Sequence, residues 1–530
     1  MSNRMPMVGV VLLIFLGASS TVTVAASGDD GFKPIFDGET LNGWDGDPAL
    51  WRVEDGAITG ETTTDKPLKV NTFLIWRLGE VDDFELTLEY RLLSGDKGNS
   101  GIQFRSFEKP KEWGRWVIGG YQADIDATDR FTGILYGERY RGILAERGEK
   151  VVIGDDHKKK VVGKVGDADA LTAAIKKGDW NSYHIIAKGY RFVQKINGQV
   201  MIEAEDQDAQ VRRRGGLLAL QLHVGPPMKI QFRNIRLKRL PMDDTRKIVF
   251  VAGGPSHGYG DHEHNAGCEL LAKALNESGL AVHAAVYRNG WPKDPTAFDN
   301  ANAVVLYGDG GAGNMVLPHL ESLDKVLSRG VGLTVLHYAL DVPKGKPGEH
   351  YLRWIGGYYE QHWSVNPHWK AEFKTLPDHP ITRGVRPFAI DDEWYYHMRF
   401  VSDMKGVTPI LTATPPDDTR RRPDGPHSGN PHVRARMGQA EHLAWAFERA
   451  GGGRGFGFTG GHSQWNWAHD DFRKLVLNAI VWVAGAEVPP EGVPSKTPTL
   501  EDLQAGLDKT PPAHFNAEAV RKRLQEWSRR

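Results

Sequence analysis

The chain has 530 residues, a single cysteine and a formal net charge of −1. That length exceeds one ordinary hydrophobic core and predicts two or three domains. The balanced charge gives no electrostatic footprint for a nucleic-acid or anionic-membrane partner, and one cysteine excludes an internal disulfide.

Residues 1–26 have the layout of a secretory leader: Arg4, the short apolar run "VGVVLLIFLGA", then Val24-Ala25-Ala26 as a small-residue cleavage site. The run is shorter than the roughly 20 residues a membrane span requires. The expectation is a secreted or periplasmic protein with no stable membrane insertion after cleavage.

Residues 30–241 alternate apolar and polar positions between turn signals. "FELTLEYRL" places Phe84, Leu86, Leu88, Tyr90 and Leu92 on one face. Asn197-Gly198 separates two further strand-like runs and predicts a hairpin. Many short strands without a sustained helix predict an all-β sandwich or jelly roll. Three strands carry unusual polar residues on one face: Gln103 and Arg105 in "SGIQFRS", Gln122 and Asp124 in "GYQADI", Gln221 and His223 in "LLALQLHVG". One polar residue of this kind needs only a solvated sheet face. Amides, a carboxylate, a guanidinium and an imidazole together point to a sugar-binding concavity. The charged stretch "GDDHKKKVVGKVGD" reads as a solvated loop.

From residue 245 to 486 apolar runs alternate with helical periodicity, which predicts a doubly wound α/β domain. "KIVFVAGG", "NAVVLYGDGG", "GVGLTVLHYA" and "GFGFTGGH" are its buried strands, and Cys268 falls on the apolar stripe of a helix. His257, Asp309, His337 and His462 each follow a strand, where such sheets place their ligands. A divalent metal held by His257, His264, His337 and His462, aided by Glu360, His362 or Glu393, is one reading of this cleft. A polar sugar cleft lined by Trp394, Tyr395 and the "QWNW" tryptophans is the other. No P-loop or dinucleotide fingerprint occurs, so no nucleotide cofactor is expected. Residues 487–530 read as an extended tail with short helices.

The blocks "FKPIFDGETLNGWDG", "WRVEDGAITGE", "GNSGIQFRS", "GYQADI", "TGILYGERYRG" and "IQFRNIRLKRL" resemble the 3-keto-disaccharide hydrolase domain family. The resemblance implies a concanavalin-A-like jelly roll and cleavage, by hydrolysis or elimination, of glycosides already oxidised at sugar C3. The partner it implies is a carbohydrate, and the oxidase that installs the ketone would be a separate protein. Such chemistry requires a base for the C2 proton and a group that stabilises the enolate. Strand facing offers Asp124 or His223 as base, Arg105, Gln103 and Tyr136 as oxygen-orienting groups, and Gln122 and Gln221 as substrate contacts. A sandwich that only binds sugar is the alternative. A retaining glucanase is disfavoured because "YQADIDATD" lacks the paired glutamates.

The blocks "VAGGPSHG", "GVGLTVLHYALD", "WIGGYYEQHW", "DHPITRGV", "DDEWYY" and "GFTGGHSQWNW" resemble the ThuA-like trehalose-utilisation family. Its fold is related to class I glutamine amidotransferases, and it implies a sugar context rather than a reaction. Amidotransfer needs a cysteine at a strand-to-helix elbow. The corresponding turn here carries His337 and Tyr338, so glutaminase activity is not expected.

Overall fold

The computed structural model describes residues 30–95, 97–128 and 130–528. The leader predicted over 1–26 lies outside the described residues. No helix among the described residues is long and apolar enough to cross a membrane.

The first domain is a sandwich of a ten-stranded and a seven-stranded sheet. In the strand Phe84–Leu92 buried and half-buried residues alternate without a break, so its apolar face fills the space between the sheets. Facing it are Ile102, Phe104, Tyr121, Ala123, Leu218 and Leu220 of the seven-stranded sheet. The opposite face of that sheet therefore carries Gln103, Gln122, Asp124 and Gln221. Its strands Leu135–Glu138, Ile118–Asp126, Asn99–Glu108 and Gly216–Leu222 are successive neighbours. The hairpin between Arg191–Ile196 and Gln199–Asp206 turns on Asn197 and Gly198, both at positive φ, as a tight two-residue turn of this hand requires. The charged stretch read as a loop instead contains the edge strand Lys159–Lys164, paired with Glu149–Ile153. Its residues are exposed or half-buried on both faces, so no apolar alternation announced it.

In the second domain a seven-stranded sheet runs in the order Val282–Tyr287, Arg246–Ala252, Ala303–Tyr307, Gly332–Leu336, Arg454–Phe458, Glu441–Glu448, Val407–Ala413. The first five are mutually parallel, and Glu441–Glu448 pairs antiparallel with both Arg454–Phe458 and Val407–Ala413. The helices His264–Asn276 and Asp470–Val483 bury one face. Leu320–Leu327 and Lys346–Ile355 bury the other, which makes the sheet doubly wound. Cys268 is buried on the first of these helices, and burial raises its thiol pKa far above the usual value. The tail carries helices Leu500–Gln504 and Ala517–Ser528 and packs Val488, Val493, Leu500 and Leu503 onto this core.

The domains are joined through buried charge. Arg239 donates to Asp294 at 2.9 Å and lies 3.5 Å from Asp82, which also accepts from Lys247. Breaking one member of such a network leaves an uncompensated buried charge, at a cost of about 3–5 kcal/mol.

Candidate functional site

The outer face of the seven-stranded sheet of the sandwich holds a cavity of about 290 Å³ lined by Asn71, Asn99, Gln122, Asp124, Tyr136, Glu138, His223 and three apolar residues. Strand register explains the convergence. Gln103 pairs with Gln122, Gln122 with Tyr136, and Gly101 with Asp124. Gly101 leaves room for the Gln122 carboxamide: a Cβ there would lie 2.5 Å from Gln122 Cδ.

Asp124 is 5% exposed. Burial raises its pKa to about 7, against hydrogen bonds from Asn99 Nδ2 at 2.9 Å and Gln122 Nε2 at 3.2 Å. Behind it runs an amide relay: Ser106 Oγ donates to Gln103 Oε1 at 2.7 Å, and Gln103 Nε2 donates to Gln122 Oε1 at 2.7 Å. This fixes which end of the Gln122 amide faces Asp124. Glu138 accepts from Asn71 Nδ2 at 3.2 Å and Gln221 Nε2 at 3.4 Å, and its pKa is also raised by burial. Burial, then the charges of Glu138 and Asp124, keep Tyr136 protonated as a donor. The His223 ring donates from Nδ1 to the Val224 carbonyl, leaving Nε2 open at the rim.

The structure thus brings Asp124, Gln122, Tyr136 and His223 to one cavity and sets Gln103 and Gln221 behind it as hydrogen-bonding supports. Arg105 is elsewhere. The register shifts between Phe104 and Phe107, Arg105 takes a φ of +47°, and its fully buried guanidinium bonds Asp82 O, Gly189 O and Asp83. A bulge of this kind breaks the two-residue alternation that placed Arg105 beside Gln103. Asn71, Asn99 and Glu138 escaped the sequence reading because they sit at strand ends or before a strand, where no periodicity marks a direction.

In the second domain, residues at the carboxyl ends of strands meet in a cleft. His337 Nδ1 donates to the Thr459 carbonyl at 2.8 Å, and its Nε2 lies 3.1 Å from His262 Nε2. His262 Nε2 is 2.9 Å from His462 Nδ1, and Glu393 Oε2 is 3.1 Å from His462 Nδ1 and 3.5 Å from His337 Nε2. Burial opposes ionisation of Glu393, yet the facing imidazoles hold it well below the ordinary carboxylate range. His337 and His262 both take positive φ, a strained conformation that surrounding structure must enforce. Tyr395 Oη lies 3.1 Å from His337 Nε2.

His257 stacks on His262 at 3.7 Å and, with Asp309, forms the outer side of the cluster. His264 donates from Nδ1 to Gly254 O at 3.1 Å and places Nε2 3.9 Å from Asp309, outside the group around His337. Trp394 is not in the cleft: it is fully buried against Phe373, Phe458 and Phe472. In "DDEWYY" the strand Phe388–Glu393 ends just before it, and the indole turns into the core while Tyr395 turns to the histidines. Glu360 is committed to Arg399 at 2.8 Å. His262 went unchosen because it lies in an aperiodic loop just before a helix.

A polar-faced β-sandwich is joined here to a doubly wound domain whose strand ends gather histidines. Residues 31–238 match the 3-keto-alpha-glucoside-1,2-lyase-like domain family, and residues 248–483 match the trehalose utilisation (ThuA) family, so the chain is a fusion of the two. No curated protein matches it. Among solved structures, a candidate glycosyl hydrolase of Parabacteroides distasonis is similar over 40% of this chain and 94% of its own, at 19% identity and a TM-score of 0.27. The carbohydrate-binding module CBM66 of Bacillus subtilis is similar over 37% and 95%, at 15% identity and a TM-score of 0.26. A ThuA-like protein of Parabacteroides merdae is similar over 49% and 99%, at 16% identity and a TM-score of 0.32.

Proposed function

We propose that the sandwich domain cleaves 3-keto glycosides, with Asp124 as the base that starts the reaction. The observation that carries this reading is a buried carboxylate with its pKa near neutrality, inside a cavity of sugar-sized volume lined by hydrogen-bonding groups.

A ketone at C3 acidifies the C2 proton. Asp124 takes that proton, and the C2–H electron pair passes into the C2–C3 bond while the C3 oxygen becomes an enolate oxygen. Tyr136 and Gln122, as donors beside Asp124, stabilise that oxygen. The enolate collapses to a C1–C2 double bond and expels the C1 aglycone oxygen, which takes a proton from Glu138, a carboxyl that burial biases toward its protonated form. Addition of water across C1–C2 returns a 3-keto sugar; release before that step gives the unsaturated product. The same reading makes the protein exported, on the leader pattern of residues 1–26, and assigns the C3 oxidation to another protein.

The test is turnover of a 3-keto-α-glucoside by the full chain, with products separated into 3-keto sugar and unsaturated sugar. Asp124→Asn is expected to abolish both products with the fold intact. Equal turnover in Asp124→Asn would contradict the assignment. Substrate binding without cleavage by the unmodified chain would make the sandwich a sugar-binding module.

A further inference from the structure

We infer that His262, His337, His462 and Glu393 form a divalent transition-metal centre in the second domain. The inference is independent of the reading of the sandwich pocket.

Its first support is the geometry of convergence. Four ligand atoms, His262 Nε2, His337 Nε2, His462 Nδ1 and Glu393 Oε2, lie within 4.8 Å of one another. The closest edges of this group are 2.9, 3.1, 3.1 and 3.5 Å. Ligands about 2.0–2.1 Å from a tetrahedral ion are separated by about 3.3–3.4 Å, so the four atoms already stand close to the corners of such a shell. They are held there by two loops, the first residue of the 3-10 turn His337–Leu340 and a strand end, with His262 and His337 at positive φ.

The second support is proton counting. In a neutral His337 the hydrogen sits on Nδ1, which faces the Thr459 carbonyl, and Nε2 then carries a lone pair. A neutral His262 has one N–H. If that hydrogen is on Nδ1, toward Asp309 at 3.4 Å, the Nε2 lone pair confronts the lone pair of His337 at 3.1 Å. If it is on Nε2, the Nδ1 lone pair confronts the Asp309 carboxylate, and only one of His337 and His462 receives a hydrogen bond. A cation at the centre turns each repulsive contact into an attractive one. The Thr459 carbonyl on His337 and the Asp309 carboxylate on His262 are the outer partners that orient metal-binding imidazoles.

Imidazole nitrogens with one carboxylate suit zinc, and equally cobalt, nickel or iron in the divalent state. On the outer side lie His257 and Asp309, where Asp309 accepts from Ser256 Oγ at 2.7 Å. This is the side from which a water or a substrate oxygen would complete the coordination.

The experiment uses the full chain, stripped with chelator and dialysed, then titrated with Co²⁺ alone and with Zn²⁺ alone. Expected are one equivalent per chain, visible d–d absorption of a four- or five-coordinate Co²⁺ centre, and loss of that absorption on displacement by Zn²⁺. Glu393→Gln and His462→Ala are each expected to weaken uptake at least tenfold. Asp124→Asn is expected to bind metal normally. Thermal transitions of all variants are read in parallel, so that a folding failure in one is separated from ligand loss in the other. Less than a tenth of an equivalent bound by the unmodified chain, or undiminished uptake in both folded ligand variants, would overturn the inference.

Discussion

The two cavities use overlapping residue types for opposite ends. In the sandwich, Asp124 and Glu138 are surrounded by amides and phenol, and burial raises both carboxyls. In the α/β domain, Glu393 is equally enclosed but faces imidazoles, which hold it ionised. A carboxylate among neutral donors becomes a proton carrier, whereas one among nitrogen bases becomes a ligand or counter-charge. Backbone architecture decides which occurs. A sheet face spaces side chains in rows and lets amides cross between strands, while parallel strand ends gather single residues from distant segments into one knot.

The sharpest way to break this comparison is at Asp124. Asp124→Asn is expected to lower cleavage of a 3-keto glycoside by at least about 10²–10⁴-fold, the usual worth of a positioned base; the reading is turnover under saturating substrate. Cys268→Ala, by contrast, is expected to leave turnover unchanged, because the buried thiol faces neither cavity.

Next in size are Arg105 and Trp394, two of the residues that lie outside their expected sites. Arg105→Ala strips Asp83 and the carbonyls of Asp82, Gly189 and Arg213 of their donor and is expected to destabilise the fold by about 3–5 kcal/mol. Trp394→Ala opens a core cavity, with a cost of about 3–5 kcal/mol. Chemical denaturation checks both; a loss of sugar affinity without a loss of stability would return either residue to a site.

A smaller effect sharpens the role of the amide relay. Gln103→Leu frees the Gln122 carboxamide, weakens its donation to Asp124 and is expected to move the midpoint of the pH–rate profile upward from about 7. A purely structural role would lower the rate without moving the midpoint.

A separate prediction concerns the pH dependence of stability. The folded pKa of Asp124, about 7, lies above the ordinary 3.8, so the folded state binds this proton more tightly than the unfolded chain. Its stabilising contribution is full below pH 3.8 and is lost as pH rises through about 7. Asp124→Asn should flatten the fall in thermal stability across that window. An unchanged slope would show that Asp124 does not titrate there.

Much of this fold is legible in one sequence. The alternation of Phe84 to Leu92, the Asn197-Gly198 turn and the apolar runs before His337 and His462 dictate local structure through side-chain period and turn chemistry alone. The sites are less legible because they depend on exceptions to those periods. A single bulge sends Arg105 into the core two strand positions from Gln103. Glu138 reaches the cavity from the end of a short strand, and Asn71 and Asn99 flank strands without belonging to a pattern. His262 is drawn to His337 by a loop whose path only the assembled sheet defines. Conversely, Asp124 and Gln122 were readable, since they lie within an unbroken alternation.

The most direct test of the central claim is solvent-deuterium incorporation at C2 during cleavage of a 3-keto-α-glucoside by the full chain, followed from pH 5 to 9. The account predicts label at C2 of the released sugar or recovered substrate, rising with turnover around pH 7 and absent in Asp124→Asn. Release of a 3-keto sugar that carries no label at C2, or labelling that persists in Asp124→Asn, would contradict it.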